Sequence, residues 1–289
     1  MDLADKLLEI MSRVEILPCR LSLSTPGARA TVPMLRGVWG AALHGGWRRE
    51  YDEVFIGDGP ENDRTPLYLL RPAPPDPTDS PALEWITLTA SGAAHFTNLH
   101  GAWRAAADMG LGKRRVPFTI RKMRLIWPDE SLRDGGRFHR WPLSMAPWPL
   151  KGPPAKTPCR LTFPAPLRLQ KEKRLITHPT LGDIVVAAFR RLRTLAEEEQ
   201  RRSLNDLHER IMGAARQVEC QCEEWERLDL VRYSARQKAE LNLTGVAGGL
   251  DLPSGPGPIW PLLLVAQWTH IGKGTVVGMG QLRISPGQL

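Results

Sequence analysis

Cysteine is scarce in this chain: four residues, at positions 19, 159, 220 and 222 of 289. They are too few and too scattered for a disulfide framework, and Cys220-x-Cys222 has no second ligand pair at zinc-site spacing. No metal site and no cofactor is therefore expected. Long apolar runs are missing as well. The longest, residues 259–266, is too short to span a bilayer, and residues 1–13 (MDLADKLLEIMSR) carry early acids instead of an apolar targeting core. A cytoplasmic protein without a membrane partner is expected. Neither a P-loop nor a dinucleotide fingerprint occurs, because no glycine cluster combines Gly-Lys-Ser/Thr with a following helix or links a strand to a helix.

Negative charge is in deficit: 31 Asp and Glu stand against 39 Lys and Arg, giving a formal net charge of +8. A basic surface of this kind suits a polyanion, nucleic acid before an acidic membrane surface, although a modest excess also serves solubility. With 42% hydrophobic residues the chain is globular, and its length has room for two domains that each bury a core.

The chain repeats itself. PCRLSLSTP at 18–26 returns as PCRLTFPAP at 158–166; Leu35 is followed by Ala41-Ala42-Leu43-His44, and Leu181 by Ala187-Ala188-Phe189-Arg190. Each half closes on a Gly-x-Gly turn leading into a strand, GLGKRRVPFTI at 110–120 and GMGQLRI at 278–284. Leu17, Cys19, Leu21 and Leu23 alternate with polar neighbours and proline, as Cys159, Leu161 and Phe163 do, the period of a sheet with one covered face. The two cysteines hold matching inward positions. After Pro33, residues Leu35, Val38, Trp39, Ala42 and Leu43 share one helical face, ended by Gly45-Gly46; Val185, Ala188, Phe189, Leu192 and Leu195 form a comparable stripe.

Further along the first half, residues 82–90 read as a strand and 93–109 as a helix, giving strand, helix, strand, helix, strand. The second half is expected to hold a charged helix over 195–228, strands at 231–233 and 239–243, a short helix at 261–268 and a closing strand at 281–284. The proline-rich stretch 141–158 reads as a stiff connector and 71–81 as a loop. These readings predict an α+β fold of tandem ferredoxin-like (split βαβ) domains, residues 1–150 and 151–289, the second carrying a glycine-rich loop. Such sheets also build the RNA recognition motif, though fold alone proves no function.

The most specific local pattern is HIGKGTVVGMG at 270–280, where Gly272, Gly274, Gly278 and Gly280 precede the final strand. Glycines at this density let a backbone approach a phosphate and aim successive N–H groups at it, with Lys273 and Thr275 adding a charge and a hydroxyl. An ordinary tight turn is the competing explanation.

Together with MLRGVWGAALH (34–44), Tyr51, Phe55, the GLGKRR turn (110–115) and RYSARQKAELNLTGVAGGL (232–250), this pattern resembles the RAMP superfamily of CRISPR-associated proteins. Within it, the chain is similar to the sixth Cas family, the endoribonuclease that processes precursor CRISPR RNA, over nearly its whole length. The resemblance implies tandem ferredoxin-like domains, binding of CRISPR repeat RNA, cleavage once per repeat, and other Cas proteins of an effector complex as further partners. It also implies a catalytic histidine in the first half, after the first strand or helix, within a family that has no fixed catalytic set.

RNA can be cut without a metal because the 2′-OH beside the scissile phosphate is a built-in nucleophile. A group that titrates near neutrality then moves protons, and cations stabilise the phosphorane. His44 is the first choice for proton transfer, its alternatives being a favourable contact with the helix dipole or a plain RNA contact. Arg36, Arg48 and Tyr51 can supply cation and hydroxyl partners, while Arg49 reads as a surface salt bridge. His95, His100 and His139 are weaker choices, His178 and His270 read as structural, and His208 in the charged helix reads as solvated.

For RNA binding the densest cluster is Arg232, Tyr233, Arg236, Gln237 and Lys238, with an aromatic ring suited to stacking. Arg190, Arg191 and Arg193, with Lys171, Lys173 and Arg174, can line a groove for an RNA stem or form a solvated face. Two other readings stand beside the nuclease. One is a non-cleaving RNA-binding RAMP scaffold subunit; the other is an unrelated tandem RRM-like binder, which lacks any RNP pattern such as K-G-F-G-F-V.

Overall fold

The computed structural model describes residues 1–26, 30–57, 65–73, 81–134, 138–222, 225–229, 231–234 and 239–287, with backbone alone for 222, 231–234 and 239–242. They form two bodies: Val14–Met145 with Val276–Gly278, and Met1–Arg13 with Ala146–Thr275 and Met279–Leu289. The first helix, α1 (Leu3–Met11), thus groups with the second half of the chain, unlike a plain division into 1–150 and 151–289. Asp2 caps it, accepting from Asp5 N at 2.8 Å, and Asp5 answers in a capping box. Its buried face, Leu7, Ile10 and Met11 among others, meets two helices of its own body described below.

The body around residues 14–145 begins with β1 (Glu15–Ser24), α2 (Val32–Gly46), a short turn α3 (Arg48–Glu50) and a π-helical segment, Tyr51–Gly57. It continues with β2 (Tyr68–Pro72), β3 (Ala82–Leu88), α4 (Thr89–Ala94), α5 (Phe96–Met109), β4 (Thr119–Ile126), β5 (Leu132–Asp134) and β6 (Trp141–Pro142). The strands lie in the order β2-β3-β1-β4-β5, with β6 on β1, and every pairing is antiparallel. As the alternation of β1 demands, Leu17, Cys19, Leu21 and Leu23 join one buried cluster with Leu35, Trp39 and Leu43 of α2 and Leu99 and Trp103 of α5. Trp39 stacks on Trp103 at 5.0 Å and donates Nε1–H to the Leu99 carbonyl at 3.1 Å, so its polar atom is satisfied inside the core.

Strand β2 is absent from the sequence-based reading. Four of its five residues are buried, so both faces are covered and no polar alternation marks it. Adding it completes the split βαβ pattern. The stretch read as a connector is likewise part of the body at its start, where Trp141 and Leu143 are buried.

The other body contains β7 (Cys159–Thr162), a small hairpin of β8 (Gln170–Lys171) and β9 (Arg174–Leu175), α6 (Leu181–Leu195) and α7 (Glu198–Gln217). There follow β10 (Gln221–Cys222), β11 (Glu226–Leu228), β12 (Val231–Ser234), β13 (Ala239–Asn242), β14 (Gly245–Ala247), β15 (Gly249–Leu252), α8 (Trp260–Thr269) and β16 (Arg283–Pro286). Helix α1 packs on α7 and α8. The sheet order β10-β15-β7-β16 repeats β2-β3-β1-β4 step for step. Even the cross-strand pairs correspond: Arg20 of β1 faces Glu84 of β3, and Arg160 of β7 faces Asp251 of β15, each one residue after the repeated cysteine. The fold is α+β with tandem ferredoxin-like domains. Cys19 and Cys159 are buried as expected; burial pushes both thiols up, Cys159 to about 12 with help from Asp251, so neither is a reactive thiolate.

The expected helix over 195–228 is corrected. Ala196 leaves the helical region (ψ 151°), α7 ends at Gln217, and residues 221–222 and 226–228 form strands paired to 250–251 and 245–247. Tertiary strand pairing overrides the local charge pattern there. Among the described residues, β12 and β13 pair only with each other; their ladder is nested in sequence within the β11–β14 pair, and that within β10–β15, and these strands together are termed the arm.

Candidate functional site

Helix α2 carries the first group of site residues. Thr31 caps it by accepting from Met34 N, and the helix runs through Gly45 and Gly46 to end at Trp47, so His44 stands in its last turn. The next residues continue as α3 and then widen into the π-helical segment, which sets Tyr51 and Phe55 in a stack with centroids 5.2 Å apart. Phe55 stacks in turn on Tyr68 of β2 at 5.3 Å. Its ring lies against Gly40, where any side chain would collide with it, so this mid-helix glycine is required by the close approach.

The four residues assigned to chemistry meet around this aromatic ladder. His44 is exposed and sets its ring edge-on to Tyr51 at 5.0 Å and 86°. Arg48 lies 5.4 Å from the Tyr51 centroid and donates Nε–H to Asp52 at 2.8 Å. Both partners of that i,i+4 pair are exposed, so the pair contributes only about 0.3–0.5 kcal/mol and Arg48 is readily given up to a phosphate. Arg36 spans the far end, donating to the Tyr68 hydroxyl at 2.8 Å with its guanidinium 4.4 Å above Phe55. Tyr51 itself is buried, so its ring acts as a wall for His44. Arg49 pairs with Glu53, as read from the sequence.

Behind this group stands a cluster that no sequence spacing signals. His95, at the start of α5, contacts Glu50 Oε1 through Nδ1 at 3.2 Å and Glu53 Oε2 through Nε2 at 2.9 Å. Asn98 donates to the same Glu50 oxygen at 2.6 Å. Burial acts to raise the Glu50 carboxyl, but hydrogen bonds from Asn98, from its own backbone and from His95 outweigh it and hold the group below its ordinary value. The cluster ties the segment that carries Arg48 and Tyr51 to α5.

The glycine-rich loop is built mainly by internal bonds. Ile271 N, Lys273 N, Met279 N and Gly280 N donate to the carbonyls of Gly280, Arg168, Gly274 and Pro166. A row of N–H groups aimed at a phosphate is therefore corrected: these four point inward. Gly278 and Gly280 are buried, and a side chain at Gly280 (φ 68°) would run into the Ile271 carbonyl. Gly272 and Lys273 remain exposed, with Gly274 and Thr275 half-buried. His270 is buried and its Nδ1–H donates to the Met279 carbonyl at 3.0 Å, the structural role expected of it.

On α6, Arg190 and Arg193 are exposed, but Arg191 is not part of an outer groove. Its guanidinium is enclosed, Nε–H donating to the Thr269 carbonyl at 3.0 Å, and burial pulls it down to about 10. One helical step separates it from Arg190, enough to turn it toward α8. Lys171, Lys173 and Arg174 are exposed at the tip of the β8–β9 hairpin. Arg236, Gln237 and Lys238 lie outside the described residues, as do the side chains of Arg232 and Tyr233, whose backbone forms β12. Among the described residues, no group of three or more His, Cys, Asp or Glu side chains is placed to hold a metal ion, and no helix is long and apolar enough to cross a membrane.

Two ferredoxin-like sheets in tandem form the scaffold; the first carries a histidine and two arginines on an aromatic ladder, and a glycine-rich loop precedes the last strand of the second. Residues 161–282 match the family of the CRISPR-associated endoribonuclease Cas6. Over that part of the chain the match agrees with the resemblance read from the sequence. Its structure is similar to that of a Thermus thermophilus Cas6, at 13% identity and TM-score 0.59, covering 94% of this chain and 99% of that one. A product complex of the same Cas6 aligns at 14% and 0.57 over 93% and 100% of the two chains. The product complex of a second Cas6 aligns at 15% and 0.56 over 94% and 99%. No curated protein matches the chain in sequence.

Proposed function

We propose that the chain is an endoribonuclease of the cytoplasm that binds CRISPR repeat RNA and cuts precursor transcripts once per repeat into mature guide RNAs, without a metal ion. The observation that carries this reading is the gathering of His44, Arg48 and Arg36 around the Tyr51–Phe55–Tyr68 ladder. The Cas6 match over the second half and the likeness to Cas6 product complexes support it. In the reaction the 2′-oxygen forms a bond to the adjacent phosphorus as its proton leaves, the bond from phosphorus to the 5′-oxygen breaks, and that oxygen takes up a proton. The products are a 2′,3′-cyclic phosphate and a 5′-OH.

His44, exposed and with no hydrogen-bond partner fixed among the described residues, serves in one of the two proton transfers. Arg48 and Arg36 stabilise the charge that grows on the phosphorane. Lys273, Thr275 and the outward part of the loop hold phosphates, as do Arg190 and the arm that carries Arg232, Tyr233, Arg236, Gln237 and Lys238. Other Cas proteins of an effector complex are further partners.

Labelled repeat RNA tests this reading. His44→Ala is expected to lower the single-turnover cutting rate by about 100-fold or more while repeat binding is kept. Normal cutting by the variant removes His44 from the mechanism. Tight binding by the unaltered protein with no cutting of any repeat RNA supports the scaffold reading instead.

A further inference from the structure

Lys113, Arg114 and Arg115 stand exposed on the turn that joins α5 to β4, and no carboxylate among the described residues pairs with any of them. Three adjacent cations left unneutralised repel one another and concentrate positive potential at one point. Backbone hydrogen bonds close the turn. Leu111 and Val116 exchange backbone hydrogen bonds of 2.8 and 3.1 Å, and Arg115 is kept at φ 48°, a region that side chains rarely enter.

Directly below the tip, Phe118 N donates to the Ala107 carbonyl at 3.3 Å and draws the end of α5 against the start of β4. A pocket of about 480 Å³ opens between the two elements. Phe118, Ile120 and Met123 give it apolar surface, and His100, Arg104 and Arg121 give it polar walls. Burial, with Arg104 alongside, lowers His100 below its ordinary value, which favours a neutral ring there at neutral pH. Asp108 also lines the pocket, and Lys122 is engaged by Asp134 at 2.9 Å.

The position within the fold matters as much as the charge. This turn links the second helix of its ferredoxin-like unit to the fourth strand, the place that the glycine-rich loop holds in the other unit between α8 and β16. Gly112 lies beside Met34, near the start of α2, whereas His44 stands in the last turn of that helix. Ten residues at about 1.5 Å each place the turn roughly 15 Å from His44 along α2.

We propose that this turn and pocket form a second RNA-binding surface, the tip holding phosphates and the pocket an unstacked base, in a single-stranded stretch of the substrate a few nucleotides from the cut. A duplex offers backbone but keeps its bases inside, so a pocket with apolar surface from Phe118, Ile120 and Met123, next along the chain from a basic turn, selects a single strand. The proposal rests on the ribonuclease reading above.

The test compares the unaltered protein with the triple variant Lys113→Gln, Arg114→Gln, Arg115→Gln on two repeat RNAs, one extended by single-stranded flanks and one trimmed of them. The unaltered protein is expected to bind the extended RNA at least tenfold more tightly. The variant is expected to bind both with the affinity of the unaltered protein for the trimmed form, and to cut trimmed RNA at the same saturating rate. Three lost contacts at about 0.7 each would reduce the slope of log K against log salt for extended RNA by roughly 2. Unchanged affinity and slope in the variant overturn the proposal while leaving the nuclease reading intact. Equal weakening toward trimmed RNA overturns the single-strand assignment. Failure of the unaltered protein to cut either RNA removes the nuclease reading and this proposal together.

Discussion

At the scale of residues, Glu84 shows how much of the sheet rests on one charge. It receives Arg20 at 2.6 Å and Arg71 at 2.5 Å from the strands on either side, and Glu84 and Arg71 are buried. Burial works to raise its carboxyl, but the charge of Arg71 and the hydrogen bonds from both arginines prevail and hold it below its ordinary value. A lowered carboxylate stabilises the fold fully above the unfolded value, near 4.3, and loses that contribution as pH falls through its folded value. Glu84→Gln is therefore expected to destabilise the protein by about 3–5 kcal/mol at pH 7, with the gap to the unaltered protein narrowing below about pH 4. Thermal melting of both proteins from pH 7 to pH 3 checks this, and a gap that stays constant contradicts it. The place of His44 in the last turn of a helix, beside two glycines, was legible in the sequence. The Glu50–His95–Asn98 cluster could not, since contact between residues this far apart in the chain follows from packing alone.

At the scale of elements, legibility follows alternation. Strand β7 alternates buried and half-buried residues, and β1, although mostly buried, still alternates apolar with polar residues from Cys19 to Ser24, whereas β2, buried on nearly every residue, leaves no such trace. Arg190 and Arg191 look equivalent as letters; the packing of α6 against α8 sends one to solvent and the other inside. The glycine-rich loop was legible as a turn, but its division into a buried and an exposed part was not. That division separates two substitutions. Gly280→Ala is expected to cost more than about 1 kcal/mol in stability, because the residue sits at φ 68° against a carbonyl. Lys273→Ala is expected to leave the melting temperature unchanged, weaken RNA binding and reduce the salt slope by about 0.7–0.9. Denaturation curves and salt-dependent binding read the two effects apart, and a Lys273→Ala protein with an unaltered slope contradicts a phosphate contact.

At the scale of the whole molecule, the duplication seen in PCRLSLSTP and PCRLTFPAP is the duplication of the sheets. Strand order and the Arg–acid pair beside each cysteine recur in both bodies. The second copy was harder to follow because α7 and the arm are inserted between its first helix and its third strand, and the charged stretch 195–228 reads as helix across the first strands of that insertion. A net charge of +8 spread over such a pair of sheets fits a partner that is itself a polyanion. The central claim is that this partner supplies its own nucleophile. Repeat RNA with a single 2′-deoxy nucleotide at the cut position, assayed with EDTA present, tests it most directly. The unaltered RNA should be cut despite the chelator and the deoxy RNA should be bound equally well but left whole; cutting of the deoxy RNA at the same position would contradict the account.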